Sequence, residues 1–457
     1  MELLIRGGRV VTPQRSFSAD ILVRDGKFAQ IGEGLPTEGC PVYDASGCLL
    51  FPGFIDAHTH LQMDNGVTVT ADDFASGTAA ALCGGTTTIL DFATQDRGDT
   101  LAHALETWHR RADGYCFCDY GFHMAIVDWN PAVSREVAAL AEAGVTSFKL
   151  YLAYDNLRVS DRQVYEVLKR VGEVHGIVGA HCENGDLVNA LVAGYLSQGK
   201  RTPDYHPLSR PDFVEAEAVS RYCYLATAAG VPVHIVHLST RLGLEEARRA
   251  RSRGQRVYLE TCPQYLTLED SVYSRGFESA KFVCSPPIRK PADRAALWQA
   301  VSQGEIDSVS TDHCSFNLRG QKELGREDFS KIPNGMPGLE HRPAVLYTHG
   351  VAQGRITENQ MAALLAENAA RLFGLYPRKG VIAPGSDADL VVWDPAARWT
   401  ITARTQHHRC DNTPYEGMEM RGRAKAVFLR GRLAAENGEP VHTGLGVYIP
   451  RGESEYF

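Results

Sequence analysis

A (β/α)8 barrel with a small β-sandwich built from both ends of the chain is the fold class this sequence predicts. Apolar, β-branched runs alternate with helical patterns through the middle of the chain, and short strand-and-turn segments occupy both termini. Cation-binding side chains recur where the middle runs end, which is where such barrels place their active sites.

Residues 1–50 read as the first part of the sandwich: Leu3 to Val11, Asp20 to Val23, then Lys27 to Ile31 after the Asp25-Gly26 turn. Residues 51–375 read as the barrel. Its strands are expected at Gly53–His60, Thr86–Ala93, Asp119–Ile126, Ser147–Leu152, Ile177–Glu183, Val231–Ser239, Arg256–Pro263 and Asp307–His313. Between them lie helical patterns such as Ala71–Cys83, Ser160–His175, Asp212–Ala229 and Gly243–Arg253. Residues 376–440 return to strand character at Asp389 to Trp393 and at Ala424 to Leu429, and complete the sandwich. The tail, 441–457, carries apolar groups at Gly446-Val447-Tyr448-Ile449-Pro450 that suit docking on a neighbouring subunit.

The 457 residues suffice for a barrel and an accessory domain, and 44% hydrophobic with 22% charged residues is a globular balance. A net charge of -8 without a basic tract argues against nucleic acid as a partner. The opening residues read as no signal peptide, and no apolar run reaches membrane-spanning length. Eleven cysteines without a metal-type CxxC pair read as thiols of a reducing cytoplasm.

Phe54-Ile55-Asp56-Ala57-His58-Thr59-His60 is the most informative stretch. Strand side chains alternate faces, so His58 and His60 point the same way and offer two imidazoles to one divalent cation. Lys149 ends the fourth run, His181 the fifth, His237 the sixth and Asp312 the eighth. Six polar groups from five strands thus converge on one barrel mouth. The same alternation turns His234 away from His237, His313 away from Asp312 and Cys182 away from His181. His123, without ligand neighbours, reads as a core or supporting group.

Lys149 has two readings from its residues alone. An ammonium beside cations is repelled, but burial favours the neutral amine, which can add carbon dioxide and become a carbamate that bridges two metal ions. The other reading is an ordinary lysine, facing solvent or paired with a carboxylate.

The motifs Pro52-Gly53-Phe54-Ile55-Asp56-Ala57-His58-Thr59-His60, Gly84-Gly85-Thr86-Thr87-Thr88 and Ser147-Phe148-Lys149 resemble those of the cyclic amidohydrolases, specifically the dihydropyrimidinase and D-hydantoinase group. The resemblance continues through Glu183-Asn184-Gly185-Asp186, Val236-His237-Leu238-Ser239, Glu260-Thr261-Cys262-Pro263-Gln264-Tyr265, Ser285-Pro286-Pro287 and Ser310-Thr311-Asp312-His313-Cys314. It closes with Pro333-Asn334-Gly335-Met336-Pro337-Gly338 and Ala383-Pro384-Gly385-Ser386-Asp387-Ala388-Asp389. Bacterial phenylhydantoinases look like particularly near relatives.

This resemblance implies two divalent metal ions, zinc first and manganese next. One would take His58, His60 and Asp312; the other would take His181 and His237; carboxylated Lys149 and a hydroxide would bridge them. It implies that the hydroxide opens the cyclic amide of a dihydropyrimidine or a 5-substituted hydantoin to an N-carbamoyl amino acid. Asp312 would carry the proton and Tyr154 would stabilise the oxyanion. Backbone groups of Ser285 and Asn334 would hold the ring amide of a cyclic ureide or imide, and the family's usual assembly is a homotetramer. Met63, Asn65, Tyr151 and Leu157 are the residues expected to line the pocket for the ring substituent.

Four other readings bear on the same motifs. A dihydroorotase usually carries an arginine where this chain has Gln62, which disfavours a carboxylated substrate. An allantoinase would favour a more polar pocket, and a mononuclear deaminase would not need Lys149. A non-enzymatic scaffold relative would have lost metal ligands that this chain retains.

Overall fold

The computed structural model describes residues 2–36 and 39–457. Five strands precede the barrel: β1 (Glu2–Val11), β2 (Ser16–Arg24), β3 (Lys27–Gly32), β4 (Val42–Asp44) and β5 (Leu49–Pro52). The barrel strands are β6 (Phe54–Thr59), β7 (Thr86–Thr94), β8 (Asp119–Ala125), β9 (Ser147–Tyr151), β10 (Ile177–His181), β11 (Val233–Ile235), β12 (Val257–Thr261) and β13 (Ser308–Val309). Four more follow: β14 (Leu390–Thr400), β15 (Glu419–Leu429), β16 (Arg432–Glu436) and β17 (Glu439–Pro440).

Strands β6 to β13 form one parallel eight-stranded sheet in chain order. Parallel neighbours need crossover connections, and the predicted helices supply them. Those at Phe74–Gly84, Asp161–Gly172, Asp212–Ala229 and Arg241–Ser252 lie within a few residues of expectation. The last strand meets the first through a parallel bridge between Thr59 and His313, reinforced by the His60 amide donating to the His313 carbonyl at 2.8 Å. The barrel is therefore nearly closed at the level of the histidine motif.

The terminal strands form the separate β-domain, a nine-stranded mixed sheet in which β5 pairs with β1 on one side and β14 on the other. Its own apolar core includes Ile5, Val10, Ile21, Phe28, Leu50, Leu390, Val392 and Phe428. A buried charge network joins it to the barrel. Lys379 Nζ lies 2.5 Å from Asp119 at the start of β8 and 2.6 and 3.0 Å from Asp389 and Asp387. Arg430 binds the other oxygen of Asp119.

The tail after 440 packs on the barrel of its own chain. Ile449 is buried beside Ile55, Leu90 and Phe373, and its amide donates to the Tyr120 carbonyl at 2.8 Å. Arg451 reaches the lower barrel and donates to Ser147 Oγ at 2.6 Å. No helix among the described residues is long and apolar enough to cross a membrane.

Candidate metal centre

The histidine motif departs from plain alternation. Asp56 pairs with Ile89 but Thr59 pairs with Asp91, so three steps on β6 match two on β7. Such a bulge re-aims side chains. Ala57 lies in the apolar lower barrel with Ile55, while His58 and His60 both reach the mouth. Buried polar groups hold the bulge from outside. Asp91 accepts from Thr59 Oγ1 at 2.9 Å, the Leu61 amide at 2.8 Å and Trp108 Nε1 at 2.9 Å. Arg342, fully buried, donates to the carbonyls of Ile55 and Val309 at 2.7 and 3.0 Å and so ties the first strand to the last.

Ligand atoms of His58, His60 and Asp312 all lie within 4.8 Å of one another. His58 Nε2 and His60 Nε2 are each 3.2 Å from Asp312 Oδ1. Lys149 Nζ is 2.8 Å from the same His58 Nε2. His181 Nδ1 faces His237 Nε2 at 3.0 Å, and the rings of His58 and His237 have centroids 5.5 Å apart. All six side chains expected at the mouth are thus brought together.

Tautomers follow from the groups behind the rings. Glu260 Oε1 accepts from His58 Nδ1 at 2.7 Å, which turns Nε2 toward Lys149 and Asp312. Glu183 Oε2 accepts from His181 Nε2 at 2.8 Å and leaves Nδ1 facing His237. Arg210 donates to Glu183 at 2.5 Å and keeps it ionised. Carboxylate-backed imidazoles of this kind are the donor set that a divalent cation selects. Sequence reading assigns no role to Glu260, Glu183 or Arg210. Glu260 ends β12 and Glu183 stands two residues past His181, so the strand-end rule could have found both. Arg210 has no such signal, because it comes from a connection remote in sequence.

Electrostatics agree with a cation site. Burial lowers the pKa of His60 to about 4 and that of His237 well below its usual value, so both imidazoles are neutral donors. Burial works to raise the Asp312 pKa, but the His58 imidazole, whose own pKa is raised against its burial by Glu260 and Asp312, and the His60 N–H outweigh it and hold the carboxyl well below its usual range. Lys149 is 2% exposed and has no carboxylate ion pair among the described residues. It sits 4.2 Å above the Phe92 ring, and burial pushes its pKa down to about 8. Neither the solvent-facing nor the carboxylate-paired lysine matches this environment.

His237 (φ 40°), Asp312 (φ 52°), Tyr154 (φ 67°) and Gln62 (φ 51°) adopt left-handed backbone. Each such non-glycine residue costs about 1–2 kcal/mol, and their clustering at one mouth is a mark of a functional site. The kink also alters the account of His234. β11 stops at Ile235, so strict alternation does not extend to His237. His234 lines a small space in the lower barrel with His123, Phe92 and Phe373, so depth rather than opposite facing separates it from the cluster. His123, expected as a core or supporting group, is buried and bonded to Ser147 Oγ and to the Ala57 carbonyl. His313 points away to Asp72 at 3.2 Å, and Cys182 turns back to the Ala180 carbonyl.

Tyr154 follows β9, with its ring 5.1 Å from His181 and 6.3 Å from Tyr151. Burial raises its pKa to about 12, partly offset by Arg210 and the Ser285 hydroxyl, so it remains an O–H donor. Arg97 anchors this loop by donating to the carbonyls of Asp155, Asn156 and Arg158 at 3.0–3.1 Å. Ser285 is buried next to a cis Ser285-Pro286 peptide, and the Asn334 carbonyl receives the Cys314 thiol at 3.6 Å. Of the substituent-pocket residues, Tyr151 is buried beside Tyr154, and the Leu157 amide donates to the Tyr154 carbonyl at 2.9 Å. Met63 is half-buried in the loop after β6. Asn65 is exposed, and its Oδ1 is occupied by the amides of Val67 and Thr68 at 3.0 and 2.9 Å.

A parallel barrel with buried, carboxylate-backed histidines at its mouth has the donor set and the placement of a barrel metalloenzyme site. The amidohydrolase family pattern matches residues 49–434. A D-hydantoinase from Geobacillus stearothermophilus is 44% identical over 99% of this chain and 97% of its own. A D-phenylhydantoinase from Escherichia coli O81 (strain ED1a) is 41% identical over 96% and 97% of the two chains. The crystal structure of dihydropyrimidinase from Brevibacillus agri NCHU1002 superposes with a TM-score of 0.98 at 41% identity, covering 99% of each chain. The chain belongs to the amidohydrolase family, in its hydantoinase–dihydropyrimidinase branch.

Proposed function

We propose that this protein hydrolyses the ring C–N bond of a cyclic ureide, a 5-substituted hydantoin or a dihydropyrimidine, and releases an N-carbamoyl amino acid. The observation that carries this is Lys149 Nζ at 2.8 Å from His58 Nε2, inside a buried histidine–aspartate cluster, in a chain of this branch.

His58, His60 and Asp312 would hold one divalent cation and His181 with His237 a second, zinc or manganese. Lys149 would reach both after adding carbon dioxide, the amine nitrogen bonding the carbon and losing a proton. Bound cations supply Lewis acidity that acidifies water and polarises a carbonyl. Asp312, ionised and at the centre of the cluster, takes the proton of the attacking water and returns it to the ring nitrogen as the C–N bond breaks. The Tyr154 hydroxyl donates to the carbonyl oxygen as negative charge develops there. Backbone groups at Ser285 and Asn334 read the ring amide edge, while Tyr151, Leu157 and Met63 border the substituent.

The same reading assigns a homotetramer in a reducing cytoplasm. Every cysteine other than Cys40 is a buried free thiol, which suits that compartment. Sedimentation of the metal-loaded protein tests the assembly. The function is tested by assaying dihydrouracil, phenylhydantoin and allantoin in parallel with metal-replete protein. Ring opening of either of the first two is expected. Turnover of allantoin alone, or of none, overturns the reading.

A further inference from the structure

We infer that Lys322 is a positioning residue whose ammonium locks the Ser285 turn and the Asn334 turn into one rigid platform for the substrate's ring amide. The inference rests on the reading above for what Ser285 and Asn334 meet, but the bonds that Lys322 makes to both turns stand independently of it.

Lys322 begins the short 3-10 turn Lys322–Gly325 and is fully buried. Its Nζ donates to the carbonyls of Val283 at 2.7 Å, Pro333 at 2.8 Å and Gly335 at 2.7 Å. An ammonium has three N–H groups, so these acceptors use all of them. No carboxylate pairs with it among the described residues. Burying an ammonium against backbone alone is costly, and a packed apolar residue would avoid that cost. What this arrangement adds is direction: one acceptor lies two residues before Ser285, and the other two flank Asn334.

The two turns lie far apart in sequence, and Lys322 is the cation they share. A direct bond supplements it, the Gly335 amide donating to the same Val283 carbonyl at 3.0 Å. The platform is also joined to the acid–base group. The Cys314 amide, two residues after Asp312, donates to the Met336 carbonyl at 3.1 Å. Close packing enforces the register, since a Cβ at Gly335 (φ 147°) would lie 2.3 Å from the Cys314 carbonyl oxygen. Loss of the ammonium would leave the buried carbonyls of Pro333 and Gly335 facing an apolar gap and Val283 with its Gly335 amide alone, and both turns would move to rebond them. Metal ligands on other strands would stay in place.

The test compares wild type, Lys322→Met and Lys322→Gln as full-length, metal-loaded proteins. Bound metal, amide hydrogen exchange at 283–286 and 333–336, and kinetics with phenylhydantoin and dihydrouracil are measured. Lys322→Met is expected to keep its metal and to lose exchange protection in both segments while β6 to β9 stay protected. Its kcat/KM should fall by about 10- to 100-fold, mainly through KM. Lys322→Gln, with two donors, should fall between the two. If Lys322→Met fails to fold, the exchange and KM of Lys322→Gln against wild type decide the matter. Unchanged protection in both segments, or loss confined to kcat with metal released, overturns the inference. Lost protection together with a wild type that opens no cyclic ureide sustains the lock and removes the functional reading instead.

Discussion

Glu260 Oε1 accepts from His58 Nδ1 at 2.7 Å, with neither side chain exposed. The same oxygen accepts the His237 amide at 3.2 Å. One carboxylate therefore orients a residue in each half of the cluster, setting the tautomer of one imidazole and the backbone of the other. Glu260→Gln should weaken metal affinity by about 10- to 100-fold, the usual cost of losing an outer-shell carboxylate. Chelator competition against wild type measures it, and equal affinity would show that Glu260 does not orient His58.

Lys149→Ala should release the second cation and abolish ring opening. Metal content by elemental analysis and activity without added short-chain acids are the measurements. A fully active variant under those conditions would remove Lys149 from the bridge.

Tyr154→Phe removes one hydroxyl from a residue that the loop bonds of Arg97 keep in place. Turnover should drop by about 10²- to 10³-fold, as for other single oxyanion donors, with a much smaller change in KM. An unchanged turnover number would take Tyr154 out of the mechanism.

The junction between barrel and β-domain should show a defined acid response. Burial works to raise the Asp387 pKa, but Lys379 and Lys27 outweigh it and lower it to about 2. A carboxyl with a depressed folded-state pKa adds stability above its ordinary value, and that stability is lost as pH falls from there through about 2. Asp387→Asn should therefore be less stable than wild type at pH 7, and the gap should narrow by pH 3. Denaturant unfolding at both pH values checks this; a gap of equal size at both would refute the assignment.

Much of this was legible in the residues because periodicity is local. Eight apolar runs and their helices announced the barrel, and the two-residue spacing of His58 and His60 announced a shared direction. Counting failed where the backbone leaves the strand. His237 and Asp312 sit beyond their strands in left-handed conformation, and the β6 bulge brings Ala57 and His58 to different levels of the same interior. Asn65 illustrates a second limit: its place in the loop after the first barrel strand suggested the substituent pocket, but the nearest amides of its own turn bind its side chain.

The amino-acid sequence by itself determined the fold class, the family and the six residues that meet at the barrel mouth, since each depends on residue type and short-range spacing. Only the tertiary structure decided which nitrogen of each histidine faces the centre, that Lys149 has no carboxylate partner there, and that Lys322 joins two distant turns. Those properties depend on Glu260, Arg210 and backbone carbonyls supplied by remote segments, and on a neighbouring Glu183 that Arg210 holds in place. Through-space contacts across a closed barrel leave no periodic trace along the chain.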